Sequence, residues 1–321
     1  VIPIVMIKRT DNHKTSLQRG SRRTFLAAAS LAVSAPHAVA PHVVAAESMS
    51  RIRIGQIGTT LAHAAGKLSA LRSLGDLFEV VGVVEPDRER RRQLAQTDAY
   101  RDVAWVDEQQ LLNTAGLKAV AVETDVDELV GTALRCIRAG LHVHLDKPAG
   151  LAMAPFRELC DEADARERTI QLGYMLRYNP AFETLFRMVS DGWLGEVTEI
   201  NGAMGKLASE KLRRDLAQYP GGGMFELACH LIDAMVTVLG PPDRVVPHNR
   251  RTRRKDDSFQ DNQLAVFEYP GAVATIRCNH VDPFGFARRF FEVAGTAGNY
   301  RIHPLESPKA RVALDRARGS F

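Results

Sequence analysis

The sequence has few cysteines, and none of them is spaced as a metal site would require. The 321 residues include Cys136, Cys160, Cys229 and Cys278, and no two of them form a C-x-x-C pair. Four cysteines in a chain of this length are also too few for a disulfide scaffold. We therefore predict free cysteines and no metal ion at the functional site.

The sequence also lacks a long apolar run and, beyond residue 40, an excess of basic residues. No apolar segment reaches the about 20 residues that a stable membrane span needs. Residues 1–40 hold six Lys or Arg and one Asp, so a chain with a net charge of +4 keeps a net charge near −1 in its remainder. Without a basic excess to neutralise phosphates, the chain is not expected to bind nucleic acid.

The N-terminal segment GSRRTFLAAASLAVSAPHAVA is typical of an export signal. Arg22 and Arg23 precede a short apolar stretch, and residues 38–40 end it with the small-residue pattern of a cleavage site. We predict a twin-arginine signal peptide over residues 1–40, a linker over residues 41–50 and a periplasmic or extracytoplasmic location. The alternative is an uncleaved apolar N-terminus.

The next part of the chain alternates between strand and helix patterns. Stretches with helical spacing separate short apolar or β-branched runs, which are residues 51–58, 78–85, 117–124, 141–145 and 170–177. This alternation predicts βαβ units in a parallel sheet, with ligands bound off the carboxyl ends of its strands. We therefore predict an N-terminal Rossmann-type domain over residues 51–177, of the α/β class.

The second half changes to an α+β pattern. Residues 221–240 predict a glycine turn that leads into one long apolar helix, and residues 263–280 predict a β-hairpin. Further alternating strands imply an open, mostly antiparallel sheet. We predict a C-terminal α+β domain over residues 178–321.

The turn after the first strand is an incomplete dinucleotide motif. A dinucleotide site has G-x-G-x-x-G at this point; Gly58 is present, but the second and third glycines are missing. Thr59 and Thr60 offer hydroxyls and amides in their place, and such groups donate to a pyrophosphate at a helix N-terminus. This motif alone leaves a nucleotide site and an ordinary turn both open.

Glu85 ends the second predicted strand, 27 residues after Gly58. A carboxylate at that position accepts from both ribose hydroxyls and repels a 2′-phosphate, which predicts NAD as the cofactor. Arg88 and Arg90 follow closely and keep NADP open. A solvent-facing strand end is the simplest alternative for Glu85.

Three polar residues stand in otherwise apolar surroundings. Lys147 in LDKPAG follows a buried strand at the sheet edge, where an amine can donate to a substrate oxygen. Glu226 and His230 are four residues apart, so one continuous helix would present both on one face. A carboxylate there orients the imidazole and raises its basicity, which predicts a general base poised near neutral pH. A surface lysine and a solvent-facing helix are the alternatives.

Four segments across residues 51–300 recur together in one family. They are IGQIG with a following His63, AGLHVHLDKP, RYNPAF and GGGMFELACHLID. In this order they resemble the Gfo/Idh/MocA oxidoreductases. The resemblance implies that Lys147 is the catalytic lysine, that His230 is the acid/base histidine, and that Glu226 stands where aspartate is usual. A sugar or cyclitol hydroxyl would then lose its proton to His230 as hydride passes to nicotinamide.

The resemblance also assigns binding positions. The implied cofactor-binding residues are Gly55, Gly58, Thr59, Thr60, Glu85, Thr124, Asp146 and Lys147, and the implied substrate-binding residues are Arg177, Asn179 and Asp233. The chain departs from the family pattern at Thr60, at Asp146, where glutamate is usual, and in ETDVDEL at residues 123–129. It also stops at LDRARGSF, before the helices that finish the family fold, so we expect a truncated C-terminal domain.

These features together predict an exported NAD(P)-dependent oxidoreductase acting on a carbohydrate or polyol. Because no NAD pool exists outside the cytoplasm, we expect the cofactor to stay tightly bound and to be restored in place. We also expect a homo-oligomer formed through the C-terminal sheet. An NAD-dependent glycosidase that works by oxidation, elimination and reduction and a non-catalytic sugar-binding relic are the alternative functions.

Overall fold

The computed structural model describes residues 50–253 and 257–315. The predicted signal peptide and residues 41–49 of the predicted linker lie outside the described residues. The strands are β1 Ile52–Ile57, β2 Phe78–Val84, β3 Trp105–Val106, β4 Ala119–Val122, β5 His142–Leu145, β6 Ile170–Leu172, β7 Val197–Gly205, β8 Arg244–Arg250, β9 Asn262–Glu268, β10 Val273–Asn279, β11 Phe290–Gly295, β12 Gly298–Ile302 and β13 Arg311–Leu314. The helices are α1 Ala64–Ser73, α2 Arg88–Leu94, α3 Glu108–Leu112, α4 Leu129–Arg138, α5 Met153–Ala165, α6 Pro180–Ser190, α7 Glu210–Ala217, α8 Gly222–Glu226 and α9 Cys229–Leu239. Short 3-10 helices lie at Met175–Tyr178 and Gly285–Arg288.

Strands β1 to β6 form a parallel sheet in the order β3-β2-β1-β4-β5-β6. Apolar residues of α4 and α5, including Leu129 and Leu159, pack with Val122 on one face of this sheet. Leu68 of α1 packs with Val83 on the other face. The predicted Rossmann-type sheet is confirmed. The predicted strand over residues 170–177 ends early, because the chain turns into the 3-10 helix Met175–Tyr178.

Strands β7 to β13 form the second sheet, in the order β13-β12-β11-β7-β10-β9-β8. Strands β7 and β10 are parallel neighbours, and the other neighbouring pairs are antiparallel. This topology confirms the predicted α+β region with an open, mostly antiparallel sheet. Phe182 of α6 and Leu231 of α9 pack with Ile200 and Phe291 in the core that this sheet shares with its helices.

The glycine turn predicted within residues 221–240 leads into two helices, so the prediction that it leads into one long helix is wrong. Helix α8 ends at Glu226 and α9 begins at Cys229, with Leu227 and Ala228 between them. In an unbroken helix the Glu226 carbonyl would accept from the amide four residues later. It accepts instead from Nζ of Lys147 at 2.7 Å. A contact with the other sheet therefore replaces the helical hydrogen bond at the break.

Within the described ranges, every helix is too short or too polar to cross a membrane. All four cysteines lie in these ranges and carry free thiols, as predicted. Cys136 and Cys278 are buried, and burial raises the pKa of the Cys136 thiol to about 12.

Replacing Leu231 by Ala tests the second core. Leu231 is fully buried, and its Cδ1 atom lies against Gly202 of β7. The cavity left by truncation should lower the free energy of unfolding by about 2–5 kcal/mol. The matched control Met153→Ala, at a side chain that is 68% exposed, should change it by less than about 0.5 kcal/mol. Urea unfolding followed by circular dichroism measures both variants, and equal shifts would contradict the assignment of this core.

Candidate functional site

The carboxyl ends of the parallel strands bring four of the predicted residues to one edge of the sheet. Gly58 and Glu85 directly follow β1 and β2, while Thr124 and Lys147 lie two residues beyond β4 and β5. Gly58, Glu85 and Thr124 line a cavity of about 260 Å³. Parallel sheets bind their ligands at this edge, so the cavity stands where the sequence predicts the cofactor.

Gly58 lets the first turn lie directly against the end of β4. Its φ is +89°, and a Cβ there would come within 2.5 Å of the Thr124 amide nitrogen and 2.7 Å of the Glu123 carbonyl oxygen. Only glycine fits this position. Gly55, by contrast, lies inside β1, where a Cβ would meet Leu111 at 2.6 Å. Gly55 therefore makes room for the Leu111 side chain, and it lies within the strand rather than at the edge where the cofactor is predicted.

Glu85 is held in a small polar network with Thr59 and Arg90. Glu85 is 5% exposed and accepts a hydrogen bond from the Thr59 hydroxyl. Arg90 donates from Nε to the same hydroxyl at 2.7 Å and from Nη2 to the Thr59 carbonyl at 2.5 Å. The Arg90 Nε atom is also 3.5 Å from Glu85 Oε2. The charge of the buried carboxylate is therefore balanced by an arginine that the cofactor assignment did not include.

The groups of Thr60 are engaged within the protein. Its amide and its hydroxyl are directed at the Glu123 carbonyl oxygen, at 3.2 Å and 3.4 Å. The Thr124 hydroxyl lies 3.4 Å from the Asp125 carbonyl oxygen. The roles predicted for Thr59, Thr60 and Thr124 at a cofactor therefore stay predictions.

A buried ion pair joins the parallel sheet to the second half of the chain. The side chain of Lys147 is 3% exposed, and its Nζ donates to Glu226 at the carbonyl oxygen (2.7 Å) and at Oε1 (3.1 Å). Burial alone would raise the pKa of Glu226, but the charges of Lys147 and Lys206 hold it below its usual range. Two residues 79 positions apart in the sequence are thus brought together.

His230 is buried at the start of α9. It is 4% exposed, its Nδ1 has no hydrogen-bond partner among the described residues, and its ring meets that of Tyr174 edge-on at 6.0 Å. Burial first, and then the charge of Lys147, lower the pKa of His230 to about 4. The predicted pairing of Glu226 with this imidazole is replaced by the Lys147 ion pair. The sequence predicted a base with a pKa near neutral pH, and this prediction is wrong. With a pKa of about 4, the His230 imidazole is uncharged at pH 7.

Asp146 pairs with an imidazole that the site assignment omitted. Its Oδ2 is 3.0 Å from Nδ1 of His63, and its Oδ1 accepts from the Lys147 amide at 2.8 Å. Burial raises the pKa of Asp146, but these contacts, with the hydrogen bond from His63 the strongest, lower it overall. Asp146 is therefore an ionised carboxylate directly beneath the Lys147 backbone.

Glu123 is a second buried carboxyl at this edge. Val122 pairs with Leu145 in the sheet, so Glu123 and Asp146 lie beside each other one position further on. Glu123 is fully buried, and neither carboxyl oxygen has a hydrogen-bond partner among the described residues. Burial, and then the charge of Asp146, raise the pKa of Glu123. In the sequence, this acid is the first residue of ETDVDEL, the segment that departs from the family pattern.

The three residues predicted to bind substrate have different surroundings. Arg177 makes two hydrogen bonds with Asp233, at 2.8 Å and 2.6 Å. Asn179 caps α6 by accepting from the Ala181 amide, and it donates to the Glu306 carbonyl. Arg177 and Asp233 are therefore brought together, while the Asn179 side chain is used to hold the fold.

Two family models match the chain. One, described as the oxidoreductase family with an NAD-binding Rossmann fold, matches residues 52–174. The other, described as the GFO/IDH/MocA C-terminal domain, matches residues 182–301. The two matches together cover about three quarters of the chain.

Two curated relatives show the level of sequence similarity. Trans-1,2-dihydrobenzene-1,2-diol dehydrogenase from Bos taurus is 25% identical over 197 residues, which are 61% of this chain and 58% of that protein. The uncharacterized oxidoreductase ORF334 from Rhizobium meliloti is 30% identical over 201 residues, which are 61% of this chain and 59% of that protein. The matched region thus spans less than two thirds of the length of either relative.

A solved structure shows the similarity of fold. The crystal structure of the WlbA dehydrogenase from Bordetella pertussis, in complex with NADH and UDP-GlcNAcA, matches with a TM-score of 0.70 at 16% identity. The match covers 79% of this chain and 74% of that chain. The fold and the two family models lead to one conclusion: the chain belongs to the Gfo/Idh/MocA oxidoreductase family.

Proposed function

We propose that the protein is an NAD-dependent oxidoreductase that transfers a hydride between a sugar- or cyclitol-like hydroxyl and a tightly held nicotinamide cofactor. The observation that carries the proposal is the buried Lys147–Glu226 pair at the carboxyl edge of the parallel sheet. A lysine with 3% of its side chain exposed is costly to bury without a function or a partner. Here Glu226 is the partner, and it accepts two hydrogen bonds from an ammonium that has three donors.

The residues at the sheet edge fit a dinucleotide. The glycine at position 58 allows close backbone approach, and the cavity beside it is lined by Glu85, whose carboxylate suits ribose hydroxyls. When bound, the nicotinamide accepts or returns the hydride. We propose NAD rather than NADP because a buried carboxylate disfavours a 2′-phosphate. The contact of Arg90 with Glu85 is the feature that favours NADP as the alternative.

The roles of Lys147 and His230 follow from their hydrogen bonds. A lysine ammonium has three donors, and Lys147 uses two of them on Glu226. The third is available to a substrate oxygen, where the positive charge stabilises a developing alkoxide. His230 is neutral at pH 7 because its pKa is about 4, so its imidazole is in the form that can accept the hydroxyl proton. Glu226 keeps Lys147 in position.

The substrate class rests on the relatives. The name of the Bos taurus relative describes a dehydrogenase of a cyclic diol, and the Bordetella pertussis structure holds NADH with a sugar nucleotide. Both are consistent with a hydroxyl on a ring as the reacting group. We further propose export by the twin-arginine route, from the sequence at residues 20–40, and assembly of copies through the second sheet.

Replacing Lys147 by Ala tests the proposed chemistry. Loss of the donor and of its charge should lower kcat by about 100-fold or more, and His230→Ala should do the same by removing the proton acceptor. The matched control Lys118→Ala changes an exposed lysine just before β4 and should leave kcat unchanged. Because the cofactor is expected to stay bound, stopped-flow absorbance at 340 nm over a panel of sugars and cyclitols measures its reduction in a single turnover. Wild-type turnover in Lys147→Ala would remove that residue from the mechanism, and cleavage of nitrophenyl glycosides without net redox change would favour the glycosidase.

The pH profile tests His230 separately. Only the neutral imidazole accepts a proton, so the rate of alcohol oxidation should fall as the pH drops through about 4, the pKa of His230. The charge of Glu226 raises that pKa, so Glu226→Gln should move the acidic limb of kcat/KM to lower pH. The exposed Glu158→Gln serves as the control and should leave the limb in place. An acidic limb that Glu226→Gln moves upward would contradict this assignment.

A further inference from the structure

Lys206 is a second lysine at the carboxylate that holds Lys147. It directly follows β7, and its Nζ lies 3.8 Å from Oε2 of Glu226, while Lys147 contacts Oε1 at 3.1 Å. Oε2 has no hydrogen-bond partner among the described residues. The two ammonium groups thus approach the two oxygens of one carboxylate.

The Lys206 ammonium has unused hydrogen-bond donors, whereas the charged groups of Arg177 and Asp146 are engaged within the protein. Within the described ranges its ammonium has the loose ion pair with Glu226 and no hydrogen bond, and about a third of its side chain is exposed. The guanidinium of Arg177 is bound on two sides by Asp233. Asp146 is engaged by His63 and by the Lys147 amide. Lys206 therefore keeps hydrogen-bond donors available for an anion beside its ion pair with Glu226.

The backbone at Lys206 is held firmly in place. Its amide donates to the Asn279 carbonyl at 3.0 Å, and Arg289 donates to the Gly205 carbonyl at 2.9 Å. Gly285 packs so closely that a Cβ there would lie 3.1 Å from the Lys206 nitrogen. A side chain that starts from a fixed backbone beside the reacting groups is suited to select among substrates.

We infer that Lys206 binds a carboxylate group of the substrate, so that the enzyme acts on sugar acids in preference to neutral sugars. This inference rests on the proposed function and narrows its substrate class. A carboxylate carries one negative charge, which the single ammonium of Lys206 can match with its three donors. A phosphate dianion would call for further cations or amides at the same place.

The test compares acidic and neutral sugars on the same protein. Isothermal titration calorimetry measures binding of D-glucuronate and D-galacturonate against D-glucose and D-galactose, with and without saturating NADH. The variants are Lys206→Gln, the charge-preserving Lys206→Arg, and Lys211→Gln as the matched control. Lys211 has a side chain that is 79% exposed and pairs with Asp215.

We expect at least one acid to bind the wild-type chain about 10-fold more tightly than its neutral counterpart. Lys206→Gln should abolish that preference, whereas Lys206→Arg and Lys211→Gln should keep it. Equal affinity for acidic and neutral sugars, a preference that survives Lys206→Gln, or no binding of either acid would overturn the inference. Tighter binding of D-glucose 6-phosphate than of either acid would do so as well.

The titration with NADH separates this inference from the proposed function. A chain that neither retains a nicotinamide nucleotide nor binds added NADH contradicts the oxidoreductase, whatever the sugar acids do. A carboxylate preference that depends on Lys206 without NADH supports the anion site even in that case.

Discussion

The ion pair between Lys147 and Glu226 is the contact on which the arrangement of the site depends. Its lysine comes from the edge of the parallel sheet and its carboxylate from the end of α8, and both side chains are largely withdrawn from water. Removing one partner of a buried pair typically costs about 3–5 kcal/mol, because the other charge is left without compensation. The pair therefore holds the parallel sheet and the second half of the chain together at the place where a cofactor and a substrate would meet.

The same contact decides the chemical state of the neighbouring groups. The Glu226 carbonyl accepts from Lys147 at the end of α8, and His230 lies in the first turn of the separate helix α9. The carboxylate is then unavailable to the imidazole, and burial beside a fixed positive charge keeps His230 neutral. The sequence predicted that a carboxylate orients His230. In the structure, the carboxylate that pairs with an imidazole is instead Asp146, and its partner is His63. The site thus separates charge stabilisation by lysine from proton acceptance by a neutral histidine.

The sequence predicted the elements that depend on local patterns and missed those that depend on distant contacts. Apolar runs such as residues 117–124 were sufficient to predict the parallel strands, and the Lys147 and His230 segments were sufficient for the family. The two-residue strand Trp105–Val106 is too short to produce a periodic pattern. The break at Leu227 and Ala228 has no glycine or proline to indicate it, and the lysine that donates to the carbonyl at the break lies 79 residues earlier. The positions of Arg90 and Lys206 likewise follow from tertiary packing alone.

The central claim is that this sheet edge holds a nicotinamide nucleotide tightly enough to be retained. The most direct measurement is mass spectrometry of the small molecules released when the purified, extensively dialysed protein is denatured. The account predicts NAD or NADH in near-stoichiometric amount, and activity that needs no added NAD. Recovery of no nucleotide, together with activity that scales with free NAD, would contradict it.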